Sequence, residues 1–208
     1  GIETICNRYV YIGGDGFMDL REYLLFPFRD PDWVRKLLLG CVVTLLPIVN
    51  ILTLGYFLAC LEAGLRGHQM LPEWDGWAEL FNDGLQVLII CVVYLGIPLV
   101  LAVLLLSLPG IGSLLAAIIF LILGTMLPIA IGAFSLSRDL RDAFRMSEIF
   151  FYTNRIINEY ISAYLTTALA ICLGIVIYLL VPLLSILGAL IIYYAGSVFF
   201  NLVGLLLK

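Results

Sequence analysis

Long runs of apolar residues alternate with short polar segments along the chain. Four runs contain no Asp, Glu, Lys, Arg or His, and each has at least 21 residues: Leu85–Leu108, Ile111–Phe134, Ile161–Val181 and Leu183–Leu207. At about 1.5 Å of helical rise per residue, each run is long enough to cross a hydrocarbon core of about 30 Å. Strands of a β-barrel would alternate polar and apolar residues, which these runs do not. The pattern predicts an all-α integral membrane protein.

A fifth apolar run, Leu37–Leu61, is interrupted by Pro47 and Asn50. Basic residues near the ends of spans concentrate on the cytoplasmic side of a membrane. A single crossing would place the four arginines from Arg138 to Arg155 outside, whereas a reversal near Pro47 places all eleven basic residues on one side. We therefore expect about six membrane-embedded helices arranged as three consecutive helical hairpins, with both termini cytoplasmic. Because the first helix, Trp33–Leu46, would be only about 21 Å long at helical rise, a re-entrant loop remains an alternative.

The three expected reversals share a pattern in which a proline precedes an asparagine or serine. The proline can end the incoming helix, and the polar side chain can cap the outgoing one. Chance is the competing explanation, because both residue types are common in membrane helices. The pairs are Pro47 with Asn50, Pro109 with Ser113, and Pro182 with Ser185.

The polar segments carry residues typical of a membrane interface. Trp33, Trp74 and Trp77 are suited to the headgroup region as interfacial anchors. Alternation of apolar and charged residues at helical spacing predicts short amphipathic cytoplasmic helices over 74–85 and 136–144. Residues 1–24 are expected to be a polar N-terminal segment, and residues 25–208 a single multi-helix membrane domain.

The composition agrees with burial in lipid. Hydrophobic residues make up 63% of the chain, charged residues 12%, and the mean hydropathy is +1.12, which excludes an ordinary water-soluble domain. The net charge of −4 is spread over short loops. We expect the lipid bilayer of the cytoplasmic (inner) membrane as the surroundings, other membrane protein subunits as partners, and no nucleic acid.

Candidate chemistry is scarce, because the four long runs contain no charged residue. Charges inside a span usually mark ion paths or proton relays. The polar Asn201, and Gly188, Gly196 and Gly204 at eight-residue spacing, are typical of helix packing. No nucleophile, acid–base pair, zinc motif or phosphate loop stands out, so we expect a protein that is not an enzyme and has no metal or cofactor.

Three arginines, Arg138, Arg141 and Arg145, form a basic stripe at the expected interface. Arginine pairs well with phosphate, so the stripe is a candidate for contact with lipid headgroups. The favoured alternative is control of topology together with pairing to Asp139 and Asp142. Exposed ion pairs of this kind contribute little.

Two prolines, Pro98 and Pro128, interrupt the long runs. Broken helices line many transport sites. Static kinks, whose freed carbonyls bond to a neighbour, are the commoner outcome of proline in a span.

A pattern of residues in the first half of the chain comprises Phe28, Asp30, Pro31, Trp33, Gly55, Tyr56, Gly67, Leu71, Pro72, Glu73, Trp74, Trp77, Phe81 and Gly84. This pattern resembles that of an uncharacterised family of bacterial and archaeal membrane proteins, known only as a domain of unknown function. The resemblance covers roughly residues 25–205, and a segment at Arg138–Phe144 is similar to related multi-helix membrane families. It implies a membrane fold and no particular activity.

Two functions remain open at this point. The first is a structural or accessory subunit of a membrane protein complex, because intramembrane charges are absent from the long runs and glycines line helix faces. The alternative is a carrier or binder of lipid or another small hydrophobic molecule, using kinks at Pro98 and Pro128.

Overall fold

The computed structural model describes residues 24–68, 70–105, 111–180 and 184–208. Most of the polar N-terminal segment, and the corners at Pro109 and Pro182, lie outside these residues. Within them the chain forms six α-helices and two short 3-10 helices, Phe26–Arg29 and Asp142–Phe144, with no strand. The α-helices are α1 (Trp33–Leu45), α2 (Ile51–Leu65), α3 (Trp77–Leu105), α4 (Gly112–Ser137), α5 (Met146–Leu180) and α6 (Ser185–Leu207).

Four of these helices are long and apolar enough to cross a membrane. They are α3, α4, α6 and the part of α5 from Tyr160 to Leu179. The all-helical class and the four long membrane helices are therefore confirmed. The remaining two are shorter: α1 has 13 residues, and α2 is an apolar helix of 15 residues.

The helices form a bundle in which α2 lies between α3 and α6. Helix α3 packs against α4, and α5 packs against α6. In contrast, α1 packs mainly against α6 rather than against α2, its neighbour along the chain. The C-terminal ends of α2, α4 and α6 meet, since Gly132 lies beside Leu61 and Leu207.

Glycines allow α2 to touch α3 through the backbone. A Cβ atom on Gly55 would overlap the carbonyl oxygen of Leu80, and one on Gly84 would overlap the carbonyl oxygen of Ile51. In lipid, where solvent gives little hydrophobic force between helices, close van der Waals contact of this kind drives association. These two glycines therefore set the distance between α2 and α3.

The opposite face of α2 meets α6 in the same way. Gly64 lies against the carbonyl oxygen of Asn201, and Gly204 lies against the carbonyl oxygen of Leu61. Both pairs are reciprocal, with one glycine contributed by each helix. Helix α2 is thus held on two faces by glycine contacts.

The separate amphipathic interface helices expected from the sequence are absent from the described residues. Helix α3 begins at Trp77 and runs without a break into its apolar span, because neither a proline nor a turn separates the two parts. Residues 136–144 comprise the end of α4, Arg138 in a left-handed conformation, and a 3-10 turn. The expected caps also differ: Asn50 precedes α2 without a side-chain capping bond, and α6 begins at Ser185.

We predict that Gly84→Ala will destabilise the protein by about 2 kcal/mol or more, because the added methyl group overpacks the contact with Ile51. Gly96→Ala on the same helix is the matched control, since only Val92 lies near its Cβ position, at 3.9 Å. The control should be neutral or more stable by about 0.5–1 kcal/mol. Thermal aggregation in mild detergent measures both, and equal midpoints would contradict the glycine contact.

Candidate functional site

A buried lysine lies where the start of α1 meets the loop between α2 and α3. Lys36 is 4% exposed, and its Nζ lies 2.6 Å from Asp30 Oδ2 and 2.6 Å from Glu73 Oε1. The same ammonium group donates a hydrogen bond of 3.0 Å to the carbonyl oxygen of Leu71. Asp30 is equally buried, whereas the Glu73 side chain is 68% exposed. Since a buried charge is costly unless it is paired, Lys36 ties this loop to the start of α1.

Local sequence explains the position of Lys36. Asp30 accepts a bond from the backbone N–H of Asp32, and Trp33 N–H donates to the carbonyl oxygen of Asp30, which together start the helix. Lys36 then falls in the first turn of α1 and beside Leu37, which is also buried. The helix start therefore turns Lys36 inward.

Aromatic rings pack beside this ion pair. Tyr56 is fully buried, its ring stacks on Trp74 at 4.3 Å, and its hydroxyl donates to the carbonyl oxygen of Pro72 at 3.0 Å. Tyr193 of α6 lies 5.5 Å from Tyr56 and fits against the bare backbone of Gly40. We call Asp30, Lys36, Tyr56, Leu71, Glu73, Trp74 and Tyr193 the Lys36 cluster. It joins α1, α2, α6 and the loop between α2 and α3.

Two polar atoms of the Lys36 cluster are buried without a hydrogen-bond partner among the described residues. They are the indole nitrogen of Trp74 and the hydroxyl of Tyr193, whose rings lie 6.1 Å apart. An indole N–H can only donate, while a phenol can accept. The pair is therefore chemically matched, so a small rotation or one bridging water would satisfy both groups.

A second ionic cluster joins three helices at the end of α4. Arg138 donates through Nη1 to both carboxylate oxygens of Asp83 on α3 at 2.9 Å, and through Nη2 to Glu62 on α2. Glu62 also pairs with Arg66 at 3.3 Å, and Ser135 Oγ lies 3.5 Å from Glu62. We call Glu62, Arg66, Asp83 and Arg138 the Arg138 cluster. It links α2, α3 and α4 by charge.

The Arg138 guanidinium remains charged in this setting. Burial works to lower its pKa, but the hydrogen bond to Asp83 and the charges of Glu62 and Asp83 outweigh burial and raise the pKa. Arg138 occupies left-handed backbone space, with φ at 56°. The fixed turn and the two carboxylates together aim its side chain at α2 and α3.

The three arginines of the predicted basic stripe therefore do not share one helix face. Arg145 lies 3.2 Å from Asp142 and 3.4 Å from Glu148, whereas Arg138 faces α2 and α3. Arg141 is exposed, and no ion pair of its side chain occurs within the described parts of the chain. Residues 138–145 do not form one helix, which is the reason the stripe is split.

The three tryptophans occupy different surroundings. Trp33 is half-buried and meets Phe28 edge to face at 4.8 Å. Trp74 is stacked inside the Lys36 cluster, while Trp77 at the start of α3 is exposed. Trp77 and Trp33 thus keep surface available at the expected interface.

The polar and small residues singled out in α6 all lie against other helices. Asn201 is buried and donates to the carbonyl oxygen of Cys60 at 3.2 Å and of His68 at 3.5 Å. Gly188 contacts the backbone of α5, whereas Gly196 and Gly204 contact α2. The three glycines at eight-residue spacing therefore contact two helices, α5 and α2, rather than one.

The two prolines lie within continuous helices. Pro98 in α3 and Pro128 in α4 are both buried, and each helix extends on both sides of its proline. Among the described residues, no group of three or more His, Cys, Asp and Glu side chains is placed to hold a metal ion.

Sequence reasoning missed Lys36 as a member of a cluster. A usable signal was present, because Lys36 directly precedes an apolar run and is the only lysine before the C-terminal Lys208. Several residues that carry the family resemblance also converge here, namely Asp30, Tyr56, Leu71, Pro72, Glu73 and Trp74. Their convergence links the resemblance to one place in the fold.

A family model described as "Protein of unknown function (DUF4013)" matches residues 38–186. No curated protein and no solved structure shows significant similarity to the chain.

We predict that Lys36→Met will destabilise the protein by about 3–5 kcal/mol, because it leaves the Asp30 carboxylate buried without its cation. Glu73→Gln should cost less than about 1 kcal/mol, since that carboxylate is mostly exposed. Thermal unfolding in detergent measures the stability of both variants against the unmodified chain. Adding Asp30→Asn to Lys36→Met should recover much of the loss, and a double variant as unstable as Lys36→Met would refute the buried ion pair.

Proposed function

Since the chain belongs to the DUF4013 family, whose function is unknown, we propose from its own contacts that it is a structural or accessory subunit of a membrane protein complex without enzymatic activity. The observation that carries this proposal is the use of converging charges to join helices. In the Arg138 cluster, Glu62, Asp83 and Arg138 connect three helices. In the Lys36 cluster, Lys36 connects a loop to α1.

A rigid bundle of this kind would act by presenting a surface to a neighbour. The best candidate for that surface is α5, because only 17% of its most apolar 18-residue stretch is buried within the chain. The corresponding fraction for α6 is 50%. Leu165, Leu169 and Leu173 are exposed at four-residue spacing along this helix. Such a ridge can pack against an apolar helix of another subunit.

The accessory role predicts protein contact at α5. A photo-crosslinking amino acid at Leu169 should give discrete protein adducts in native membranes, because this side chain is 72% exposed on the proposed contact face. The matched control is Val103 on α3, which is 64% exposed and should meet lipid. Lack of adducts at Leu169, together with purification of a lone monomer in mild detergent, would refute the proposal.

We also propose a topology of six membrane-embedded helices in three hairpins, with both termini on the cytoplasmic side of the inner membrane. The meeting of the C-terminal ends of α2, α4 and α6 supports it, since three hairpins bring these ends to one side. Contact between Cys41 Sγ and the carbonyl oxygen of Ile186, at 3.3 Å, supports a position of the α1–α2 turn near the start of α6.

Single cysteines test this topology after the five natural cysteines are replaced by alanine. Cysteines at Asp75 and Ser137 should react with an impermeant maleimide from the same side, because Asp75 follows α2, Ser137 ends α4, and the C-terminal ends of these two helices meet. A cysteine at Asn50 should react from the other side. Labelling of Asp75 and Ser137 from opposite sides would contradict three hairpins.

The second candidate function is binding or carriage of lipid or another small hydrophobic molecule. An apolar groove on each side of α1 favours it, one beside Trp77 and the other beside Tyr194 of α6. The arginine stripe gives this alternative less support, because Arg138 is engaged with Glu62 and Asp83.

A further inference from the structure

An open groove runs along the outer face of α1. It has a volume of about 750 Å³ and is lined mainly by apolar side chains, among them Val34, Leu38 and Val42 of α1 with Trp77 of α3. Its size lies within the range of about 300–1,000 Å³ that is usual for small-molecule sites. The three aliphatic side chains follow one another at four-residue spacing, so the apolar surface extends along the helix.

The end of the groove at the start of α1 carries one charge of each sign. Asp32 and Arg35 both line it, and both are exposed. No ion pair of either side chain occurs among the described residues. The adjacent Lys36, in contrast, forms ion pairs with Asp30 and Glu73. The apolar groove therefore ends beside a carboxylate and a guanidinium group that do not pair with each other.

This arrangement matches a molecule with an apolar tail and a head that bears both charges. A phosphate can receive two parallel bonds from Arg35, and the nearby start of α1 also favours a negative group. A primary ammonium can donate to the Asp32 carboxylate and face the ring of Trp77. A purely anionic headgroup would instead meet repulsion from Asp32.

We propose that this groove binds a zwitterionic phospholipid of the phosphatidylethanolamine class, with its phosphate at Arg35, its ammonium at Asp32 and an acyl chain along Val34, Leu38 and Val42. The site is separate from the proposed contact face on α5. Loss of the lipid with unchanged protein adducts at Leu169 would therefore distinguish the two proposals.

Retention of lipid by the full chain tests the proposal. The protein is incorporated into vesicles of equal parts phosphatidylethanolamine, phosphatidylcholine and phosphatidylglycerol, extracted in mild detergent, washed, and analysed by native mass spectrometry. We expect retained phosphatidylethanolamine to exceed both other lipids. Arg35→Gln and Asp32→Asn should each weaken that retention about tenfold or more, because each removes hydrogen bonding to a charged group.

Two further variants complete the test. Arg155→Gln is the matched control, because Arg155 is also an exposed arginine and lies outside the groove. It should retain lipid like the unmodified chain. Leu38→Trp should fill the groove and lower retention without changing either charge.

Several outcomes would overturn the proposal. Equal retention of the three lipids, or preference for phosphatidylglycerol, would exclude the paired-charge headgroup site. Equal retention of phosphatidylcholine and phosphatidylethanolamine would exclude the hydrogen bond to Asp32. Undiminished retention in Arg35→Gln, or an equal loss in Arg155→Gln, would exclude Arg35 as the phosphate contact. A melting curve of each variant shows that the protein remains folded.

Discussion

Contact between helix backbones at α2 is the constraint on which the remaining arrangement depends. Lipid tails are as apolar as leucine, so helices gain little from burying apolar surface against each other. The contacts of Gly55 with α3 and of Gly64 with α6 provide close van der Waals packing instead. Once α2 is fixed between these two helices, Glu62 is brought to Arg138 and Tyr56 to Trp74.

Polar side chains then specify how this apolar bundle is assembled. Both ionic clusters connect residues far apart in sequence, such as Lys36 with Glu73 and Glu62 with Arg138. A buried ion pair is weak support for stability by itself, because desolvation offsets much of the attraction. Its greater effect is on uniqueness, since an arrangement that separated Lys36 from Asp30 would leave the buried Asp30 carboxylate without its cation.

The sequence predicted the helices best where apolar residues continued over a long stretch. Four long apolar runs were sufficient to predict the membrane helices, because lipid thickness fixes the required length. The pairing of Asp30, Lys36 and Glu73 could not be predicted, since it depends on where a loop between two helices returns. The prediction of a separate interface helix over 74–85 was wrong, because helical periodicity identifies the apolar face of a helix and does not show where the helix starts. Arg138 was predicted to belong to a basic stripe. Its left-handed backbone turn instead places its side chain against carboxylates on two other helices.

The left-handed turn at Arg138 places two opposing selective demands on one position. Its backbone conformation favours glycine, which adopts positive φ without steric cost, whereas Glu62 and Asp83 require a cation. A glycine here would relax the turn, but it would remove the cation paired with Asp83 and leave Glu62 paired with Arg66 alone. The arginine therefore satisfies two carboxylates at the cost of a strained backbone, and we expect the three positions to vary together among related chains.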